Sequence, residues 1–178
     1  MSNCLRFDII KDGFKSEFIA SSYEDLVILL DTGAETPVWC DGLEEFENVF
    51  PDAKKLDFQY ILAGFGVGYE IVDAYQIPEF TLSDGEGEIV FENLPVVVTD
   101  RPTINASLIL PGSIFNHMIL KIDRLSSPVY PTIEIEYSQE RFPIFFKHIR
   151  LSDHDMERLG TDKDKIMTGV YLTEKDSV

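Results

Sequence analysis

Asp31, Thr32 and Gly33 follow directly on four apolar residues, Val27 to Leu30. A carboxylate, a hydroxyl and a glycine in that order can serve either of two ends. A solvated turn behind a buried strand asks for nothing more. A hydrolytic site asks for the same three, if the carboxylate is to be held at the floor of a dry cleft and take a proton from water. The string is short enough to arise by chance, so the residues around it must decide.

The other candidates for chemistry are weaker. Gly64, Gly66 and Gly68 suggest a phosphate cradle, but they lack the G-x-G-x-x-G spacing. Tyr69 to Ile77 alternates like a strand where a helix N-terminus would be needed. A hairpin tip fits better, as a plain turn or as a lid, because glycine permits sharp bending. Asp31 to Gly33 as a phosphate loop of the sugar-kinase type would require a second half-domain. As a phosphatase nucleophile Asp31 would need an aspartate two residues on, where Gly33 stands. Cys4 and Cys40 are too few for a disulfide framework and lack C-x-x-C spacing, so two reduced thiols are expected. His117, His148 and His154 show no zinc spacing, and a surface turn accounts for His148 and His154 with Asp153 and Asp155. No metal and no cofactor are expected.

Composition narrows the field further. A chain of 178 residues suits one ordinary domain with a real core. The 44% apolar and 26% charged content is that of a folded chain. A net charge of −17 with no Lys/Arg run argues against nucleic acid, whose phosphates need a basic patch. No apolar run is long enough to span a bilayer and no signal core follows Met1 to Arg6, so a cytoplasmic protein without membrane partners is expected.

The elements that must position Asp31 are mostly strands. Leu5 to Ile10 and Lys15 to Ala20 alternate around Lys11-Asp12-Gly13-Phe14, a hairpin signal. A short helix is expected around Leu43 to Phe50, stopped by Pro51, within an acidic segment at 40–55. Phe58 to Leu62 and Tyr69 to Ile77 read as two strands around the glycine-rich tip, and Glu88 to Phe91 and Pro95 to Val98 as two further short ones. Ser107-Leu-Ile-Leu-Pro-Gly112 is a second apolar run ending in glycine. A helical turn at Ser113 to His117 and strands at Met118 to Asp123 and Thr132 to Tyr137 follow. Ser152 caps a helix near 152–160 that Gly160 stops, and Thr161 to Val178 reads as a polar tail that frays. The class is mainly β.

The order of these signals is more specific than any one of them. ILLDTGAE (28–35), ILAGFGVGYEIVDAYQI (61–77) and SLILPGSIFNHMILKID (107–123) together resemble the retropepsin-like, or retroviral-type, aspartic protease family over roughly residues 5–137. The resemblance implies a closed β barrel with a glycine-tipped flap hairpin and one or two short helices. On this view residues 1–137 are the protease domain and 138–178 a C-terminal extension. It implies an aspartic endopeptidase acting on a peptide or protein substrate. Asp31 would be catalytic, Gly33 would let backbone N–H groups approach it, and the Thr32 hydroxyl would bond across to a partner's loop. Ala34 and Glu35 would flank the substrate on the cleft floor, and Gly64, Phe65, Gly66, Val67 and Gly68 would close over it as the flap tip.

Peptide hydrolysis without metal or covalent intermediate needs a base for water and an acid for the leaving nitrogen. Two adjacent carboxylates sharing one proton supply both, and they titrate as a unit. The chain has one Asp-Thr-Gly, since Asp41-Gly42 and Asp84-Gly85 lack the preceding pattern and are explained by turns. A single copy implies a two-fold homodimer with one Asp31 from each subunit. Three departures from the viral pattern stand out: the longer link from Asp31 to the flap, Pro111 before Gly112, and Ser113 where an arginine would pair with Glu35. Two further readings compete with the protease: a non-catalytic peptide-binding or dimerisation module of the same barrel, and an acidic β-rich structural protein.

Overall fold

The structure is a computed structural model, and it describes residues 3–10, 13–16, 26–31, 34–63, 69–100, 106–123, 132–150, 152–154, 157 and 166–173. Alternation builds the N-terminal strand β1 (Asn3–Ile10): Leu5 and Phe7 are buried, Arg6 and Asp8 exposed. It pairs antiparallel with β10 (Thr132–Tyr137), whose Ile133, Ile135 and Tyr137 are buried in turn. β1 also pairs with β2 (Gly13–Ser16), and β2 with β3 (Leu26–Asp31).

The remaining elements are β4 (Val38–Trp39), α1 (Gly42–Val49), β5 (Lys54–Ala63), β6 (Tyr69–Ser83) and β7 (Glu88–Val98). β8 (Leu108–Pro111), a 3-10 turn at Gly112–Phe115, β9 (Ile119–Asp123), β11 (Arg141–Pro143), β12 (Phe145–Arg150) and β13 (Ile166–Thr173) complete the order. The fold is mainly β, as expected. Pairing follows the order β12-β13-β5-β6-β7-β4-β8-β3-β2-β1-β10-β9, with β11 beside β7. Among the described residues this path has two ends, β12 and β9.

α1 forms where a short helix was expected. Glu44 and Glu45 in its first turn suit the positive end of the helix. Phe46, Val49 and Phe50 bury its inner side, with Phe46 and Phe50 in ring contact with Trp39. Pro51 then prevents continuation. Gly42, at φ 84, makes the sharp entry that Asp41-Gly42 suggested, and the Trp39 indole N–H donates to its carbonyl at 2.9 Å.

Two expectations are corrected. Glu88 to Val98 is one strand, not two, and Tyr69 continues through Pro78 to Ser83. Ile77 pairs with Leu94 and Glu79 with Glu92, so Pro78, which has no N–H, faces Asn93, whose φ is 61. At this point the residues turned to the larger apolar cluster change parity. Tyr75 and Ile77 give way to Phe80 and Leu82, and Ile89 and Phe91 to Leu94 and Val96. The broken alternation mimics a strand end. The second correction is the polar tail: Ile166–Thr173 is a sheet strand, antiparallel to β12 and parallel to β5. Of the helix expected near 152–160, Asp153, His154 and Glu157 are helical and the rest lies outside the described residues.

Two buried clusters result. The larger joins β1, β3, α1, β6, β7, β8 and β10 around Trp39, Phe46, Phe80, Phe91 and Leu108. The smaller gathers Val38, Tyr60, Val72, Val97, Ile109 and Met167, with Leu29, Ala34 and Leu62 packed against it.

Candidate active site

Asp31 ends β3. The strand loosens toward it: Leu26 and Ile28 are buried, Leu29 and Leu30 half-buried, and Asp31 exposed. Beside it runs β8, all four residues buried, parallel and in register, with Leu30 opposite Leu110 and Asp31 opposite Pro111. The two runs singled out in the sequence, each leading to a glycine, are therefore neighbours, and Gly112 follows the residue paired with Asp31.

The chain then crosses the carboxyl end of β8. β4, the next strand, pairs with β8 from its other side, with Val38 opposite Ile109 and Trp39 opposite Leu108. β8 is thus flanked by the strand before the crossing and the strand after it. The crossing is pinned at both ends. The Ala34 N–H donates to the Asp31 carbonyl at 3.1 Å, and the Val97 N–H to the Pro37 carbonyl at 3.0 Å. At the other end of β8, the Ser107 N–H donates to Val27 and the Cys40 N–H to Ser107, both at 2.9 Å. Such pairing ties the ends of the crossing to the sheet, as a site with fixed geometry requires.

Ala34 is half-buried and packs on the smaller cluster, and Glu35 is exposed. Thr32 and Gly33, and the tip residues Gly64, Phe65, Gly66, Val67 and Gly68, lie outside the described residues. The arms of that hairpin are described: β5 and β6 pair up to Ala63 opposite Tyr69. β6 is tied to the end of β4 through Thr99, whose hydroxyl donates to Glu70 at 3.0 Å and whose N–H donates to the Trp39 carbonyl at 2.9 Å. Ser113, where the viral pattern has arginine, is half-buried in the 3-10 turn.

Sequence reasoning missed several residues around the crossing. Thr36 is buried and its hydroxyl has no hydrogen-bond partner among the described residues; Thr-Pro reads as an exposed turn, so nothing marked it. Tyr60 is also buried, its hydroxyl likewise without a partner there, and burial pushes the phenol well above its ordinary range. Burial, aided by the nearby Asp41 carboxylate, pushes the Cys40 thiol up to about 12, which keeps it neutral and unreactive as a nucleophile. No group of three or more His, Cys, Asp or Glu side chains among the described residues could hold a metal ion. No helix among them is long and apolar enough to cross a membrane.

No protein-family model matches the chain. No curated protein matches it either. Among solved structures the chain is similar to the crystal structure of a retropepsin-like aspartic protease from Rickettsia conorii, at 14% identity and a TM-score of 0.47, over 77% of this chain and 92% of that one.

Proposed function

We propose that the protein is an aspartic endopeptidase that works as a homodimer, one Asp31 from each subunit sharing a proton and activating water on a bound peptide. The observation that carries this reading is the placement of Asp31. It stands at the exposed end of a strand whose parallel neighbour ends, in register, in Pro111-Gly112, with the following loop closed by the Ala34 N–H on the Asp31 carbonyl. A carboxylate that only decorated a turn would need no buried strand beside it.

In this reading Thr32 and Gly33 brace the loop, Ala34 and Glu35 flank the substrate, and residues 64–68, carried by β5 and β6, cover it as a lid. Residues 1–137 form the protease domain and 138–178 an extension to it. Metal-free hydrolysis needs two carboxylates, and one chain brings one.

The test joins two measurements. A peptide-library digest at mildly acidic pH should give cleavage with the native protein and cleavage slowed by about 100-fold or more with Asp31→Asn, and light scattering should give a dimer for both. Cleavage at close to the native rate in Asp31→Asn, or full activity from a strictly monomeric particle, would overturn the proposal.

A further inference from the structure

β13 approaches the candidate site from the far end of the chain. It runs parallel to β5 with Ile166 opposite Gln59 and Met167 opposite Tyr60. Ile166 and Met167 are 4% and 8% exposed, so this contact is part of the interior. Met167 belongs to the smaller cluster with Tyr60, Val38 and Ile109, and Leu29, Ala34 and Leu62 pack against the same cluster. One apolar cluster therefore bears on two separate parts of the candidate cleft. Leu29 and Ala34 bracket Asp31 on its floor; Tyr60 and Leu62 stand on β5, the arm that leads to residues 64–68.

Three features make this contact more than filling. The pairing of β5 with β6 is irregular between Lys55 and Gln59 and resumes at Gln59 and Tyr60, the same two residues that β13 pairs, so β5 is held from both sides where its regular ladder toward residues 64–68 begins. Tyr60 has no hydrogen bond from its hydroxyl among the described residues, and among these its ring is held by packing, Phe58 included. Methionine, unbranched and with three rotatable bonds, adapts its shape to the neighbours of an apolar cluster.

We propose that Met167 is a positioning residue for the cleft: it sets the gap between β5 and the floor at Ala34, and so the size of apolar substrate side chain that the cleft accepts. The statement about substrate rests on the proteolytic reading above. The coupling of Met167 to the floor does not.

The experiment compares Met167→Ala, Met167→Leu and the native protein by two readouts. The first is amide exchange at Ala34, whose N–H is bonded to the Asp31 carbonyl, and at Tyr60 to Leu62. Truncation leaves a cavity into which neighbours relax only in part, so exchange at these amides should quicken roughly tenfold in Met167→Ala, and leucine, of similar volume, should restore it. The second is cleavage of paired peptides with valine or phenylalanine beside the cut bond. Met167→Ala should shift the phenylalanine-to-valine ratio of kcat/KM by about tenfold, chiefly through KM, again restored by leucine. If Met167→Ala does not fold, Met167→Val carries the same comparison. Unchanged exchange at Ala34 in a folded truncation variant overturns the coupling. Equal losses on both peptides, tracking Tm, overturn the role in specificity. A native protein that cleaves no peptide brings down the proteolytic reading, and exchange at Ala34 then decides the coupling by itself.

Discussion

Asp31 and Asp84 make an instructive pair, since each is an aspartate ahead of a glycine, by two residues and by one. Asp84 closes the turn between β6 and β7: its Oδ1 accepts the N–H groups of Glu86 and Gly87, both at 2.9 Å, and its Oδ2 accepts that of Arg6 at 3.0 Å. Gly85, at φ 88, supplies the backbone bend that such a turn needs. Asp84 is spent on architecture. Asp31 ends a strand that loosens from buried to exposed along its length, beside β8, which stays buried throughout. In its turn it is the backbone carbonyl that accepts the Ala34 N–H. The difference lies in the setting of each residue: the end of an apolar run with a buried parallel neighbour for Asp31, the turn between two antiparallel strands for Asp84.

If the two roles differ in kind, their isosteric variants must fail differently. Asp31→Asn should lower turnover by about 10²–10⁴-fold, the usual worth of a positioned acid–base group, with Tm nearly unchanged. Steady-state assay and calorimetry on one preparation read both. A large fall in Tm with turnover intact would place Asp31 with Asp84. The two parallel strands offer a second contrast. Leu110→Ala empties a site with no exposure in the larger cluster and should cost about 2–5 kcal/mol; Leu30→Ala, at its half-buried register partner, should cost about half as much. Urea midpoints measure this, and equal costs would mean that β3 does not loosen toward Asp31.

What could be read from the sequence was local. β10 appears at its expected bounds because Ile133, Ile135 and Tyr137 alternate with Thr132, Glu134 and Glu136 over one unbroken stretch. Asp31 and the second apolar run stood out for the same reason: each is a contiguous pattern. Their adjacency was legible through the order of motifs. The change of parity at Pro78 and Asn93 was not, because each half of β6 and β7 alternates by itself and only the paired strands show the halves to be continuous. β13 was hidden more deeply. Its two adjacent residues Ile166 and Met167 are both buried, which breaks the period-two signal, and its partner β5 lies far away in the chain.

The smallest effect is the one that tests Asp84. Burial works against its ionisation, but the N–H bonds from Gly87, Arg6 and Glu86 outweigh it and hold the carboxyl below its ordinary value. A group whose folded pKa is depressed adds stability that is fully present above its unfolded pKa and lost as pH falls through the folded one. Asparagine in its place can offer one oxygen only. If that oxygen keeps Glu86 and Gly87, its NH2 faces the Arg6 N–H, donor against donor. Asp84→Asn should therefore cost about 1 kcal/mol at neutral pH, a drop of roughly 2–4 °C in Tm for a chain of this size, with turnover unchanged. The gap should narrow below about pH 4, the ordinary aspartate range, because only the native protein loses these bonds' extra strength on protonation. Thermal melts of both proteins from pH 7 to pH 2.5 give the answer. Parallel curves would mean that the ionised carboxylate is not what holds this turn, and the contrast with Asp31 would then rest on activity alone.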